Sequence, residues 1–99
     1  MKQTVHDRYG NEIYLTDERW EHIISLHSEM EPFKDSLFET LKQGQRKQDA
    51  ADMTTYKYSF AYNDLEQDNN FIIVVVKFKV DAHSGANNFV LTAYQKKTR

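Results

Sequence analysis

The four histidines of this 99-residue sequence are its only side chains that titrate near neutral pH without tuning by their surroundings. Two of them, His22 and His27, lie five residues apart in a segment with helical spacing. That separation places them about 140° apart around a helix, so they do not form the i, i+4 pair that binds a metal ion. They are candidates for proton transfer, whereas His6 and His83 lie in predicted hairpin regions and are assigned no role.

The two candidate histidines occupy different positions on the predicted helix. Trp20, Ile23 and Ile24 form an apolar stripe, and His27 continues it, whereas His22 lies about 150° from its centre. A hydrogen-bonded core residue would also explain His27, and an ordinary surface residue would explain His22. Both interpretations stay open beside the catalytic one.

Charge is distributed unevenly between the two halves of the chain. Residues 1–45 contain five Lys/Arg and nine Asp/Glu, a net charge of -4, whereas residues 46–99 contain eight and six, a net charge of +2. The total of -2 is too acidic for a general coat of nucleic acid. A site for a polyanion must therefore be a local cluster, and we expect it in the second half.

The sequence lacks the residues on which several catalytic classes depend. It has no cysteine, which excludes disulfide scaffolds, thiolate metal sites and cysteine nucleophiles. Phosphate-binding glycine loops, nucleophile elbows and Asp-rich metal motifs are also missing, so an enzyme of this sequence is expected to need no metal or cofactor. The longest apolar run, residues 71–76, is too short for a membrane span and no signal-peptide pattern occurs. We expect one cytoplasmic domain, residues 1–99, without membrane association.

Patterning along the chain predicts an α+β fold. Residues 5–7 and 12–15 flank a glycine turn and are expected to form a β-hairpin. Thr16 can cap a first helix, and Pro32 fits the first turn of a second helix that stops at Gly44. The expected apolar positions of the second helix are Phe33, Leu37, Phe38 and Leu41.

After Gly44 the period of the pattern changes from helical to alternating, which predicts an antiparallel sheet. Its expected strands are residues 55–62, 71–80 and 89–96, joined by polar turn regions at 63–70 and 81–88. The complete arrangement is an N-terminal β-hairpin and two helices packed on one face of a C-terminal antiparallel sheet.

If the apolar strand faces pack on the helices, the opposite face of the sheet is basic. It is expected to carry Lys57, Ser59, Lys77, Lys79, Thr92, Tyr94 and Lys96. In the last strand, simple alternation then places Phe89 and Leu91 on the apolar face and Val90 on the basic one. Lysines neutralise phosphates, hydroxyls hydrogen-bond to phosphate oxygens and tyrosine stacks on bases, but an ordinary solvated sheet face has a similar composition.

Two segments together resemble a known nuclease family. Thr16 precedes a helix with Arg19-Trp20 and His22-Ile23, His27-Ser28-Glu29 follows it, and the last strand ends in Thr92-Ala93-Tyr94. These residues resemble the phage barnase–EndoU–colicin–RelE-like nuclease domains, in which a Thr-capped helix carries Arg-Trp-x-His-Ile, a His-Pro-Glu follows and the last strand ends in Thr-Ala-Tyr. Ser28 stands where the family usually has Pro. The apolar second helix, the polar connection at 45–49 and the Tyr-rich and Val-rich strands match in type.

The resemblance implies a barnase/RelE-like fold and metal-independent cleavage of RNA, in which a ribose 2′-OH attacks the adjacent phosphate. This chemistry needs a base, an acid and cationic stabilisation of the phosphorane. By motif position, His22 and His27 are candidates for proton transfer, while Thr92 and Tyr94 are candidates for orienting the phosphate. The candidates for charge stabilisation and RNA binding are Arg19, Arg46, Lys57, Lys77, Lys79 and Lys96.

Members of this family occur in phage, polymorphic-toxin and toxin–antitoxin contexts. The leading interpretation is a cytoplasmic endoribonuclease that acts on RNA and is either the toxin of a toxin–antitoxin pair, with an antitoxin or immunity protein as its partner, or a phage-related nuclease. The alternative is a catalytically silent module on the same scaffold that binds RNA or a protein. The acidic net charge distinguishes the sequence from the clearly basic ribonuclease toxins of the family.

Overall fold

The computed structural model describes residues 1–83 and 85–98, which form an α+β structure with a six-stranded mixed sheet. The strands are β1 (Lys2–His6), β2 (Glu12–Thr16), β3 (Gln45–Gln48), β4 (Thr55–Ala61), β5 (Phe71–Asp81) and β6 (Gly85–Lys96). The α-helices are α1 (Asp17–Leu26) and α2 (Lys34–Gln43), and short 3-10 turns lie at Ser28–Phe33 and Glu66–Asp68. Across the sheet the strand order is β1-β2-β6-β5-β4-β3.

The first hairpin forms around the predicted glycine turn, although β1 begins earlier than expected, at Lys2, and ends at His6, and α1 follows Thr16 as predicted. Gly10 lies in the hairpin turn with a φ of 87°, a left-handed conformation that glycine adopts without strain. Thr16 caps α1, because its Oγ1 accepts a hydrogen bond of 3.1 Å from the Arg19 amide. The helix ends at Leu26, so the backbone of His27 is no longer helical. This early end frees the His27 side chain from the apolar stripe.

The second helix begins later than the pattern predicts. Pro32 lies inside the 3-10 turn, whose geometry accepts its fixed φ and missing N–H, and α2 begins only at Lys34. The expected end of the helix is confirmed, because Gly44 follows its last residue. The buried side chains of α2 are Leu37, Phe38, Thr40 and Leu41.

Strand β3 directly follows α2 and was expected only as a polar connection. It contains no apolar residue, so alternation gives no signal for it. A Cβ at Gly44 would lie 2.4 Å from the Thr40 carbonyl oxygen and 2.6 Å from that of Ser59. The absence of a side chain at Gly44 therefore allows the chain to turn from α2 into β3 against the edge of β4.

The sheet is mixed rather than antiparallel because the first hairpin joins it. β2 lies parallel to β6, with Ile13 opposite Asn88 and Tyr14 opposite Phe89. The expected antiparallel order is confirmed for β4, β5 and β6. Most of the turn expected at residues 81–88 is strand instead, and Ser84, within it, lies outside the described residues.

A β-bulge in β6 changes which of its side chains face the core. Val75 is opposite Thr92, but the next residue, Val76, is opposite Val90, so Leu91 is an extra residue in β6. Val90 is consequently buried in the core and Phe89 lies on the opposite face. The face assignment that simple alternation predicts is wrong for these two residues.

One face of the sheet packs on α1 and α2 and forms the hydrophobic core. The buried core residues are Ile13, Leu15, Ile23, Met30, Leu37, Phe38, Leu41, Tyr58, Ile72, Val74, Val76, Val90 and Ala93. No helix in the described part of the chain is long and apolar enough to cross a membrane. The second face of the sheet is covered by no helix among the described residues and carries the candidate site.

Candidate nucleic-acid interface

The sheet face away from the helices, here called the open face, contains most of the predicted basic residues. Residues opposite one another on neighbouring strands share a face, so the register defines its members. On β3 to β6 they include Lys47, Lys57, Ser59, Ile73, Val75, Lys77, Lys79, Phe89, Thr92, Tyr94 and Lys96. Lys77 and Lys79 remain on this face because the extra residue of the bulge belongs to β6 and not to β5.

A pocket of about 360 Å³, here called the lysine pocket, lies on the open face. Its lining residues are Lys47, Gln48, Asp49, Ala50, Lys57, Ser59, Ile73, Tyr94 and Lys96. Three of these side chains are cationic and one is anionic, so the pocket favours a negatively charged ligand. The Tyr94 phenol and the Ser59 hydroxyl add hydrogen-bonding groups for phosphate oxygens. The structure thus brings together Lys57, Tyr94 and Lys96, as predicted.

His27 lies beside the lysine pocket. Its ring centroid is 5.8 Å from that of Tyr94, and its Nδ1 atom is 3.8 Å from Oε2 of Glu29. About a third of the side chain is exposed, at 34%. His27 is therefore a half-buried residue next to a pocket-lining tyrosine, and not the buried core residue that its position on a longer helix would have made it.

The edge of β6 explains how His27 reaches Tyr94. β2 pairs only with the first half of β6, so α1 and the following turn lie along the rest of that edge. Arg19 Nη1 donates a hydrogen bond of 3.4 Å to the carbonyl oxygen of Leu91, the bulge residue. Further along, Gln95 Nε2 donates one of 3.0 Å to a carbonyl of the turn after α1. These two contacts hold the first turn of α1 and the 3-10 turn after the helix against the strand that carries Tyr94.

His22 lies apart from the lysine pocket. It is exposed on α1, as the helical geometry predicts, and lines a separate pocket of about 440 Å³. The other residues of that pocket are Thr16, Glu18 and Arg19. His22 therefore lines a pocket separate from the lysine pocket beside which His27 lies, and the structure does not assemble the two predicted catalytic histidines as a pair.

Lys77 and Lys79 differ in whether a carboxylate lies beside the ammonium group. Lys77 Nζ lies 2.6 Å from Oδ2 of Asp52, whose Oδ1 also accepts a hydrogen bond of 2.6 Å from the Thr54 hydroxyl. The contact with Lys77, followed by those with Thr54, holds the pKa of Asp52 well below its usual value. Lys79 is exposed, and its Nζ lies 5.8 Å from the ring centroid of Phe89. Only Lys79 of the two presents a cation without a carboxylate partner among the contacts of the described residues.

Arg46, which was predicted to bind RNA, lies on the core side of the sheet and away from the open face. Register explains its position, because Arg46 is opposite Tyr58, which points into the core. Its guanidinium carbon is 4.4 Å from the ring centroids of both Tyr9 and Tyr56. Its Nη1 donates to the Tyr58 hydroxyl at 3.3 Å and lies 3.7 Å from Oδ2 of Asp7. The positive charge of Arg46 therefore interacts with groups of the protein itself: the carboxylate of Asp7 and the aromatic rings around the guanidinium.

Thr92 lies next to the lysine pocket with an unused hydroxyl. It is opposite Val75 and two residues before Tyr94 on β6, on the same open face. Its Oγ1 is buried and has no hydrogen-bond partner among residues 1–83 and 85–98. A buried hydroxyl without a partner costs free energy, which a ligand oxygen at this point would recover. Thr92, which the resemblance predicts to orient the phosphate, therefore lies on the open face with a buried hydroxyl that has no partner in the described part of the chain.

Lys47 is the pocket residue that sequence reasoning missed. It lies on β3, directly opposite Lys57, and both side chains line the lysine pocket. The local sequence of β3 is polar throughout, so nothing in its period shows which face Lys47 occupies. The signal that was available is the charge itself, since Lys47 lies in the basic half of the chain.

Neither metal ligation nor similarity to known proteins adds to this description. Within residues 1–83 and 85–98, no three or more His, Asp or Glu side chains are grouped so that they could hold a metal ion. No family model matches the sequence, and comparison with curated proteins and with solved structures finds no significant match.

Proposed function

We propose that this protein is a metal-independent endoribonuclease with a barnase/RelE-like fold, which cleaves RNA by attack of a ribose 2′-OH on the adjacent phosphate. The observation that carries the proposal is the imidazole of His27 beside Tyr94, at a pocket with three lysines. A titratable base next to a cationic, hydroxyl-bearing pocket provides the groups that this reaction needs.

Each group of the site has a role in the proposed reaction. Lys47, Lys57 and Lys96 bind the phosphates and stabilise the charge of the phosphorane. The hydroxyls of Thr92 and Tyr94 orient the scissile phosphate. Neutral His27 accepts the proton of the 2′-OH, its oxygen bonds to phosphorus, and the 5′-oxygen leaves with a proton from a lysine ammonium. The products are a 2′,3′-cyclic phosphate and a 5′-hydroxyl.

The proposal extends to the setting of the protein. A ribonuclease of this kind acts in the cytoplasm on cellular RNA, and a producing cell survives it only with an antitoxin or immunity protein that covers the lysine pocket. His22 and Arg19, in their separate pocket, contact RNA beyond the scissile bond.

A second candidate function is a catalytically silent RNA-binding module. The observation that favours it is the position of His22 in a pocket separate from the lysine pocket, which leaves the site around His27 and Tyr94 without a second histidine as acid. Such a module would keep the lysine pocket and its affinity for RNA but would leave the phosphodiester intact.

The test is cleavage of single-stranded RNA in the presence of EDTA, with His22 as the matched control for His27. We expect wild-type protein to produce 2′,3′-cyclic phosphate ends in EDTA, His27→Asn to lower the rate by about 10²–10⁴-fold, and His22→Asn to lower it less than about tenfold. Because His27 is partly exposed, its substitution should cost only about 1 kcal/mol of stability. Cleavage that requires added Mg²⁺ would contradict the mechanism, and tight binding without cleavage would establish the silent module.

A further inference from the structure

A pair of aromatic rings occupies the open face outside the lysine pocket. Tyr14 and Phe89 are opposite each other on β2 and β6, and their ring centroids are 6.0 Å apart. Both side chains are half-buried, and together with Arg19 they line a pocket of about 140 Å³. Phe89 is on this face because Leu91 bulges out of β6. The pair is absent from the lysine pocket and has no role in the reaction proposed above.

Cationic side chains surround the two rings. Lys2 Nζ lies 4.6 Å from the ring centroid of Tyr14, and Lys79 Nζ lies 5.8 Å from that of Phe89. Arg19 borders the same small pocket. Aromatic rings on a sheet, flanked by Lys and Arg, form the surfaces that stack bases and neutralise phosphates of single-stranded nucleic acid. A protein interface would favour a different composition, because lysine is depleted there.

We propose that Tyr14 and Phe89 form a base-stacking subsite for single-stranded RNA. This inference rests on the proposed function and adds the class of RNA that it takes. Phe89 and Tyr94 lie opposite Lys77 and Ile73, which are four residues apart on the regular strand β5, or about 13 Å at the rise of a strand, so a few nucleotides span both sites. Thr92, with its unpartnered hydroxyl, lies between them on the same face. A duplex keeps its bases inside the stack, so these rings select single strands.

The experiment measures binding separately from cleavage. A fluorescein-labelled single strand of about twelve 2′-O-methyl nucleotides cannot be cleaved through a 2′-OH, and an abasic strand of equal length has the same phosphates without bases. Phe89→Leu removes a ring from the subsite but keeps an apolar side chain there. Phe60→Leu is the matched control, because it makes the same substitution on the core side of the sheet, where the ring centroid of Phe60 is 5.4 Å from that of Tyr62. Fluorescence anisotropy gives Kd for both probes and all variants, and circular dichroism confirms folding.

We expect wild type and Phe60→Leu to bind the base-bearing strand about tenfold more tightly than the abasic strand. Phe89→Leu should lose most of that preference. If Phe89→Leu does not fold, Tyr14→Leu takes its place with the same expectation. Equal affinity of wild type for the two probes, or an unchanged preference in the folded variant, would overturn the subsite.

The same reagents separate this inference from the proposed function. Cleavage of an all-ribose strand, together with equal binding of the base-bearing and abasic strands, would support the ribonuclease and overturn the base-stacking subsite. A preference for bases that depends on Phe89, without any cleavage, would establish the subsite and overturn the ribonuclease. Binding to neither probe would overturn both.

Discussion

At the scale of single residues, Asp7 is the group that fixes the first hairpin to the core. Its side chain is fully buried and accepts hydrogen bonds from the amides of Tyr9 at 2.9 Å and Asn11 at 2.8 Å, and from the Tyr58 hydroxyl. Burial alone raises the pKa of Asp7, but the hydrogen bonds, led by that from Tyr58, outweigh it and leave the pKa below its ordinary value. Burial, followed by the contact with Asp7, raises the pKa of Tyr58 above its ordinary value. The carboxylate is therefore the form that the folded state stabilises.

The lowered pKa of Asp7 predicts loss of stability in acid. The stabilisation by its carboxylate is complete above the unfolded pKa of about 4 and disappears as pH falls through the lower folded value. Asp7→Asn should lower the free energy of unfolding at pH 7 by about 2 kcal/mol and weaken its dependence on pH below about 5. Urea denaturation at several pH values measures both, with the exposed Asp64→Asn as control. An unchanged pH dependence in Asp7→Asn would contradict the assignment.

At the scale of elements, the connection between β3 and β4 is attached to the open face by one ion pair. Asp52, in that connection, holds the ammonium of Lys77 at 2.6 Å, and its side chain also accepts from the hydroxyls of Thr54 and Thr55. Neighbouring residues of the same connection, Asp49 and Ala50, line the lysine pocket. The ion pair thus both shapes one wall of the pocket and withholds a cation from any ligand on this face.

Removal of the Asp52 charge should strengthen RNA binding. In Asp52→Asn the ammonium of Lys77 becomes available to a phosphate, which adds one contact. We expect a severalfold higher affinity for single-stranded RNA at low salt and a log Kd against log salt slope that is steeper by about 0.7. Asp68→Asn changes the net charge equally but lies at the 3-10 turn of residues 66–68, away from this connection. An equal gain in the two variants would show an effect of total charge and not of Lys77.

The predictability of each element follows from what its sequence pattern contains. β5 alternates without irregularity, so its faces, and with them Lys77 and Lys79, were predicted correctly. β3 has no apolar residue to mark a face, so Lys47 was missed and nothing in the pattern showed that Arg46 lies on the core side. A bulge leaves no mark in composition, which explains the error at Phe89.

Partner choice between strands is less predictable than the strands themselves. Alternation specifies which side of a strand is buried but not which strand lies beside it, so the parallel contact of β2 with β6 could not be derived. The grouping of Lys57, Tyr94 and Lys96 was predictable because it depends only on alternation within an antiparallel meander. The position of His27 was not, because it depends on where α1 ends and on which edge it follows.

At the scale of the whole molecule, a net charge of -2 coexists with a basic pocket. Lys57 and Lys96 lie in that pocket, whereas Lys42 is exposed on α2, which packs on the core side of the sheet. Long-range attraction of RNA to an acidic protein is weak, so binding must come from these local contacts and from the counterions that they release. The slope of log Kd against log salt concentration therefore reports how many lysines contact phosphates.

Each substitution of a pocket lysine should weaken the salt dependence of RNA binding by a similar amount. Lys57→Ala should flatten the log–log salt slope by about 0.7 and weaken binding to all sequences similarly, and Lys57→Ala with Lys96→Ala should flatten it by about twice as much. Lys42→Ala removes the same charge from the opposite side of the molecule and should leave the slope unchanged. Anisotropy titrations between about 50 and 200 mM salt provide the slopes. Equal slopes in all variants would contradict phosphate binding by these lysines and would indicate that the open face is an ordinary solvated surface.

The parallel contact of β2 with β6 also orders events during translation. Tyr14 is synthesised early, but its neighbour Phe89 follows 75 residues later. Until β6 emerges from the ribosome, β5 has an unpaired edge, β2 has only β1 beside it, and Tyr94 and Lys96 cannot join the folded part of the chain. Contacts between such distant segments form late and slowly. A nascent chain of this protein therefore has neither the lysine pocket nor the aromatic pair, and the surface proposed to bind RNA is completed only when the last strand has been made.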